Sequence, residues 1–201
     1  MTVLLTGFEP FGKVKDNPSQ RIVESIAKQN HADIVTHIFP VDYVKASEQL
    51  KSLIEKYQPE AIILLGVAQS RDAISLERIA VNVNDASIPD NEGNLKSGQQ
   101  IVEGAPVGYW STLPIEAMYK AVSQTEIPVK MTNHAGAYLC NHVFYMARHI
   151  LESSGNSQIP CGFIHVPDMG EEAPKMALKQ QIRAIELCLD VVRDEMKVKS
   201  L

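Results

Sequence analysis

Short apolar runs alternate along the chain with stretches that have helical periodicity. Residues 3–6, 34–39, 61–66, 129–132 and 162–166 are apolar runs of strand length, and residues 74–83 carry β-branched side chains in partial alternation. These six segments predict strands. The run 61–66 is apolar throughout, which is typical of a central strand covered on both faces.

Helices are predicted between these strands. Asn17 before Pro18 has the pattern of an N-cap followed by proline in the first turn, and Asp42 can cap a helix that ends at Pro59. Further helices are expected at 114–124, 139–152 and 175–196. Strands alternating with helices predict an α/β sandwich around a largely parallel sheet, and no domain boundary is evident. The segments 61–66 and 74–83 leave little room for a helix between them, which predicts an antiparallel edge.

Composition and charge narrow the possible functions. The 201 residues carry a formal net charge of -5 and no basic cluster, which argues against nucleic acid as a partner. No apolar stretch approaches the ~18 residues of a membrane span, and the opening residues do not resemble a signal peptide. We therefore expect a cytoplasmic protein without a membrane partner. Three cysteines, an odd and low count, predict free thiols.

Cys140 is the first candidate for chemistry. It follows a glycine-containing junction between a predicted strand and a predicted helix. A thiol at a helix N-terminus lies at the positive end of the helix dipole, which favours the thiolate, and the free N–H groups there can receive an oxyanion. The alternative is that Cys140 is a small core residue. Cys161 and Cys188 are expected to be structural.

His165 and Glu77 are the other candidates. His165 lies near the carboxyl end of a predicted buried strand, where sites assemble in open α/β sheets. Position alone favours it only modestly over the other five histidines. Glu77 is a carboxylate within a strand pattern, and a buried carboxylate needs a partner such as histidine. The alternative is a surface pair with Arg78, although neighbouring strand residues point to opposite faces.

Other kinds of site fit less well. His134, Cys140, His142 and His165 could ligate zinc, but their spacing matches no usual zinc pattern. The glycines form neither a dinucleotide fingerprint nor a P-loop. A nucleoside phosphorylase of similar fold class would need a phosphate cradle, and the sequence contains no obvious one. We therefore expect neither a metal nor a cofactor.

Four stretches of the chain resemble the pyroglutamyl peptidase I family of cysteine peptidases. They are Leu-Thr-Gly-Phe-Glu-Pro-Phe-Gly at 5–12 with Asn17-Pro18, Glu-Arg-Ile-Ala-Val-Asn-Val at 77–83 running on to Ile-Pro-Asp-Asn at 88–91, Ala-Gly-Ala-Tyr-Leu-Cys-Asn-His at 135–142, and Gly-Phe-Ile-His-Val-Pro at 162–167. They occur in the family's order and spread over nearly the whole chain. The family's catalytic Glu, Cys and His fall on Glu77, Cys140 and His165.

The resemblance implies a fold and a reaction. The expected fold is a single-domain α/β/α sandwich over 1–201 with a twisted, mostly parallel mixed sheet, often assembled as a homotetramer. The expected reaction removes N-terminal pyroglutamyl residues from peptides by acyl transfer through Cys140. The resemblance assigns substrate binding to five residues: Phe8, Phe11, Asn17, Tyr138 and Leu139.

Two departures from the family pattern keep a second hypothesis open. Val67 replaces a polar residue after the central strand, and Ser87 stands where family members commonly carry an arginine that is thought to help the oxyanion. The alternative function is therefore a pyroglutamyl-peptide binding protein that has lost turnover. Arg71 or Arg78 could supply the missing charge from elsewhere.

Overall fold

The computed structural model describes residues 2–12, 15–169 and 175–199, in which five helices and seven strands follow one another. The strands are β1 (Val3–Phe8), β2 (Ile34–Phe39), β3 (Ala61–Ala68), β4 (Ile74–Val81), β5 (Gly108–Trp110), β6 (Val129–His134) and β7 (Cys161–Pro167). The helices are α1 (Pro18–Ala27), α2 (Tyr43–Tyr57), α3 (Ile115–Ser123), α4 (Leu139–Ser153) and α5 (Leu178–Lys199). The six predicted strands and five predicted helices are confirmed, and α5 begins three residues later than expected.

All seven strands form one mixed sheet. The order β2-β1-β3-β7-β4 is parallel up to β7, and β4 then runs antiparallel to β7. The short strand β5 pairs antiparallel with the end of β4, and β6 pairs parallel with β4 on its other side. The expected antiparallel element is therefore present, but it was placed wrongly: β4 does not neighbour β3, because β7 lies between them. Strand β5 was not predicted.

Two apolar layers cover the sheet and make it an α/β/α sandwich. Side chains of α1, α3 and α5, such as Ile22, Met118 and Ile185, pack on one face with Ile63 and Leu65 of β3. Side chains of α2 and α4, such as Leu50 and Phe144, pack on the other face with Ile62 and Leu64. Since β3 is buried on both faces, its continuous apolar sequence is explained.

The helix starts follow the local sequence. The Asn17 side chain accepts a hydrogen bond from Ser19 N at 3.0 Å, and the Asp42 side chain accepts from Val44 N at 2.8 Å. Both predicted caps are confirmed. No helix in the described ranges is long and apolar enough to cross a membrane.

Candidate active site

A small cavity of about 150 Å³ lies where β1, β3 and β7 end and α4 begins. It is lined by Phe8, Phe11, Asn17, Val41, Val67, Ala135, Gly136, Ala137, Tyr138, Leu139, Cys140 and His165. The five residues expected to bind substrate therefore share one cavity with Cys140 and His165. Sequence reasoning gave residues 135–137 only as the junction before Cys140 and as part of a family motif, not as substrate-binding residues. It missed Val41, which nothing in the sequence marked.

Cys140 is the second residue of α4, as expected for a thiol at a helix N-terminus. Strand β6 ends at His134, and the chain turns through Gly136, which has φ +81° and so lies in the left-handed region that favours glycine. Tyr138 then occupies the N-cap position. The first N–H groups of a helix have no partner within the helix, so those of Leu139 and Cys140, which line the cavity, can receive an oxyanion.

Burial and the neighbouring charges act on the Cys140 thiol in opposite directions. Burial raises the pKa of the Cys140 thiol to about 12, and the charge of Glu77 adds to the rise, while the Cys140 N–H and Arg71 oppose it. One edge of the side chain faces the cavity, but the surrounding atoms are dense enough for desolvation to dominate. Burial thus opposes the stabilisation of a thiolate that the helix N-terminus provides at Cys140. The sulfur therefore needs a base.

His165 and Glu77 form a directly bonded pair. Ser75 lies opposite His165 in the antiparallel pairing of β4 with β7, and Glu77, two residues further along β4, points to the same face. His165 Nδ1 lies 2.7 Å from Glu77 Oε1, and the Glu77 side chain is fully buried. The expected histidine partner of Glu77 is thus present.

The charges of this pair favour a neutral base beside an anion. Burial alone would raise the pKa of Glu77, but hydrogen bonds from His165 and Thr132 and the charge of Arg71 bring it below its usual value. Burial lowers the pKa of His165, against the opposing effect of Glu77. With Nδ1–H donated to the carboxylate, His165 keeps a lone pair on Nε2 for proton transfer.

Glu77 has two further partners. Thr132 Oγ1 donates to Glu77 Oε2 at 2.6 Å, and Arg71 Nη1 forms an ion pair with Oε1. Arg78 instead donates to Asn133 Oδ1 at 3.1 Å. The surface-pair interpretation of Glu77 and Arg78 is therefore wrong, and Arg78 does not supply charge to the cavity.

Aromatic side chains form part of the cavity wall. The rings of Phe11 and Tyr138 lie 6.0 Å apart, and Tyr138 O–H donates to Pro89 O at 3.1 Å. Asn17 Nδ2 donates to Glu9 O at 3.0 Å while its Oδ1 caps α1. Asn17 thus fixes the loop that carries Phe11, and it also lines the cavity as expected.

Amide side chains fasten the long loop between β4 and β5 beside the cavity. Asn141 Nδ2 donates to Val81 O at 2.8 Å and to Val83 O at 3.0 Å. Asp85 N donates to Ala137 O at 2.8 Å, next to the nucleophile turn. Ser87, which follows in this loop, is exposed.

The histidines considered as zinc ligands do not converge on Cys140. His142 contacts Ser47 Oγ at 2.7 Å through Nε2 and Asn84 Oδ1 at 3.1 Å through Nδ1. His134 accepts a hydrogen bond from Gly136 N through its Nδ1. Across the part of the chain that the structure describes, no group of three or more His, Cys, Asp or Glu side chains is arranged around a common metal position.

A larger open groove of about 940 Å³ lies at the opposite ends of β3 and β7. Pro59, Glu60 and Pro160, which precede these strands, line it together with residues of α2, α4 and α5. Its described lining contains neither cysteine nor histidine, so the smaller cavity is the candidate active site despite its size.

Comparison with known proteins agrees with this geometry. The model of the pyroglutamyl peptidase family matches residues 1–197. The chain belongs to the pyroglutamyl peptidase family. A pyrrolidone-carboxylate peptidase of Pyrococcus furiosus is 40% identical over 208 residues, covering 98% of this chain and 100% of that protein. One of Oceanobacillus iheyensis is 43% identical over 194 residues, covering 93% and 96%.

Solved structures of the family share the fold. The pyrrolidone carboxyl peptidase of Thermococcus litoralis superimposes with a TM-score of 0.90 at 36% identity, covering 98% of this chain and 96% of that one. A mutant pyrrolidone carboxyl peptidase of Pyrococcus furiosus gives a TM-score of 0.89 at 40% identity, covering 97% and 99%. The resemblance inferred from four sequence motifs and the expected α/β/α fold are both confirmed.

Proposed function

We propose that this chain acts as one cysteine exopeptidase domain that removes N-terminal pyroglutamyl residues from peptides, with Cys140 as nucleophile, His165 as base and Glu77 as the residue that orients His165. The observation that carries the proposal is the shared cavity of Cys140 and His165, with Glu77 bonded to the far nitrogen of the imidazole. Membership of a peptidase family supports the same reaction.

The shape and polarity of the cavity suit a lactam. Its volume of about 150 Å³ is small beside the ~300–1,000 Å³ typical of drug-sized ligands. Phe8 and Phe11 give it apolar walls, and Asn17 and residues 135–138 also line it. A pyroglutamyl ring has no charged α-amine, so such a cavity needs no carboxylate to receive it.

The proposed mechanism is acyl transfer. His165 Nε2 takes the proton of the Cys140 thiol as the sulfur attacks the pyroglutamyl carbonyl. N–H groups at the start of α4 stabilise the oxyanion. His165 then gives the proton to the leaving amine, and water hydrolyses the thioester. Glu77 keeps Nδ1–H bonded throughout and stabilises the imidazolium that forms.

The direct test is hydrolysis of a fluorogenic pyroglutamyl amide by the purified protein. We expect turnover that is lost after alkylation of Cys140. Binding of the amide without release of the fluorophore would support the alternative of a turnover-deficient binding protein. Phosphate-dependent turnover of a nucleoside would refute the peptidase. We further propose that the protein is cytoplasmic and that it forms a homo-oligomer, most simply a tetramer. Sedimentation analysis tests the oligomeric state.

A further inference from the structure

We propose that Arg71 is a positioning residue of this reaction, which holds the Glu77 carboxylate and offsets its charge so that Glu77 orients His165 without opposing thiolate formation at Cys140. This inference rests on the proposed function of the Cys140 site. It assigns a function to a side chain that the sequence offered only as a possible oxyanion partner.

Arg71 is placed by the turn after β3. Its N–H donates to Ala68 O at 3.0 Å, which closes the turn and directs the side chain back over β4 and β6. Nη1 forms the ion pair with Glu77 Oε1 and lies 3.3 Å from Thr132 Oγ1. Nη2 donates to His134 O at 3.4 Å. The guanidinium is thus held on two neighbouring strands.

The carboxylate is fixed at both oxygens. Oε1 receives Arg71 and His165, and Oε2 receives the Thr132 hydroxyl at 2.6 Å. An isolated ionised carboxylate in a fully buried position is costly, and a guanidinium partner with directed N–H groups compensates that cost. Arg71 therefore allows Glu77 to remain ionised where His165 needs it.

The ion pair of Arg71 with Glu77 also reduces the repulsion between the Glu77 carboxylate and a thiolate at Cys140. The negative charge that orients His165 also opposes a second negative charge on the nearby sulfur, and Glu77 does raise the pKa of Cys140. Arg71 acts in the opposite direction on that thiol and lowers the pKa of His165 as well. Together Glu77 and Arg71 carry no net charge, so the carboxylate can direct the imidazole with less penalty at the sulfur.

Other charged groups surround this pair. Asp72 follows Arg71 and pairs with Lys130 of β6 at 3.0 Å, Lys175 donates to Gln69 O at 2.7 Å, and His134 and Asp168 lie at the ends of β6 and β7. Asp72 and Lys130 offset each other at the surface. They are more exposed than Arg71 and do not contact Glu77, so their effect on its charge is screened by solvent.

The test is the pH dependence of Cys140 alkylation by iodoacetamide, followed by peptide mass spectrometry, in wild type and Arg71→Met. This readout needs no substrate, so it remains decisive if pyroglutamyl amides are not hydrolysed and the proposed function fails. Removal of a cation raises the pKa of every neighbouring group. We expect the rate of alkylation at each pH below the midpoint to fall about tenfold, which corresponds to a midpoint about one unit higher, the lower end of the range for a nearby charge.

Kinetics provide the second readout. In Arg71→Met both limbs of the kcat/KM pH profile should move to higher pH, kcat should fall at least tenfold, and KM should change little. Arg78→Met is the matched control, because Arg78 follows Glu77 on β4 but contacts Asn133. Arg78→Met should leave unchanged both the midpoint of Cys140 alkylation and the two limbs of the kcat/KM pH profile. A folded Arg71→Met protein with the wild-type midpoint would overturn the proposal.

Arg71→Lys separates charge from geometry and decides the question if Arg71→Met does not fold. Lysine keeps the charge and loses the planar fork. We expect a midpoint near that of wild type together with a lower kcat. If the alkylation midpoint rises by a full unit although the charge is kept, Arg71 does not act through its charge. If kcat is unchanged, Arg71 does not act by positioning Glu77.

Discussion

The sulfur of Cys140 lies directly over the backbone of Gly66 in β3: a Cβ atom added to Gly66 would stand 2.7 Å from Sγ. That separation is shorter than any ordinary contact. The same Cβ would also lie 2.7 Å from Cζ of Phe163. Because Gly66 pairs with His165 in the register of β3 with β7, the glycine leaves the space in which nucleophile and base meet.

Gly66→Ala should therefore displace the sulfur and reduce kcat by about 10²-fold, the scale associated with a misplacement near 1 Å. Gly162→Ala is the contrasting variant. Its Cβ would lie 2.3 Å from Ser111 Oγ, away from the cavity, so it should lower the melting temperature while kcat per folded molecule is kept. Equal loss of kcat in both variants would show that strain in the sheet, not the position of Sγ, is responsible.

Substitution of each of the three free cysteines should distinguish the nucleophile Cys140 from the structural residues Cys161 and Cys188. Cys140→Ala should abolish hydrolysis, whereas Cys161→Ser and Cys188→Ser should keep kcat for each folded molecule. Both structural thiols are fully buried, so an unpartnered hydroxyl should cost about 1–3 kcal/mol of stability. Activity assays normalised to the folded fraction test this. Residual turnover in Cys140→Ala would refute the proposed mechanism.

Discrimination between pyroglutamyl and glutaminyl amides should be strong. The described residues that line the cavity include no carboxylate, and Glu77 is already occupied by three partners. A charged α-amine would be desolvated beside Phe8 and Phe11 without a partner, which costs several kcal/mol. We expect kcat/KM to be at least about 10²-fold lower for the glutaminyl amide. Comparable values would contradict the proposed pocket.

His142 should make the protein sensitive to acid. Burial, with a smaller effect of Lys96, lowers the pKa of His142 to about 4 from its ordinary 6.5. The folded state thus favours the neutral ring. Above pH 6.5 the ring is neutral in both the folded and the unfolded protein, so it does not reduce the free energy of unfolding. As the pH falls from 6.5 towards 4, the unfolded chain binds a proton that the folded chain does not, and the free energy of unfolding decreases.

The matched variant is His142→Gln, which can still bond to Ser47 and Asn84 but cannot titrate. Between pH 6.5 and 4 the wild type should lose about 3 kcal/mol more free energy of unfolding than this variant. Denaturant titrations at the two pH values measure the difference. Parallel losses would show that His142 does not carry the effect.

Ser87→Arg should raise kcat by less than about tenfold, which is ~1.4 kcal/mol in the barrier. Ser87 is exposed on the long loop, and Leu139 and Cys140 at the start of α4, whose N–H groups have no partner within the helix, already line the cavity. Comparison of kcat for wild type and variant on one pyroglutamyl amide tests this. A gain of a hundredfold or more would identify the missing arginine as the limiting defect.

Most helices and strands could be predicted because the residues that mark them lie within or next to the element. Asn17 and Asp42 are caps whose partners lie two or three residues away, and β3 is apolar at nearly every position. Strand β5 escaped prediction because three residues carry no periodicity and exist as a strand only through pairing with β4. The position of β4 beside β7 is a long-range property, and proximity in sequence suggested β3 instead.

The candidate site shows the same division. Residue type and position ranked Cys140, His165 and Glu77, and motif resemblance supplied Phe8 and Phe11. The rise in the pKa of Cys140 could not be inferred, because it depends on the side chains that surround the sulfur after folding. The pairing of Arg71 with Glu77 was likewise hidden, since Arg71 lies in the turn after β3 and its direction is set only in the fold.

The insertion of β7 between β3 and β4 determines when the protein can first act during its synthesis. Until residues 161–167 leave the ribosome, β3 and β4 have no common neighbour, and Glu77 has no imidazole to orient. A nascent chain therefore contains its nucleophile 25 residues before it contains its base. The unfinished centre of the sheet also exposes unpaired edges of β3 and β4, which favours aggregation at this stage. The synthesis of β7 therefore both supplies the base of the active site and covers the exposed edges of β3 and β4.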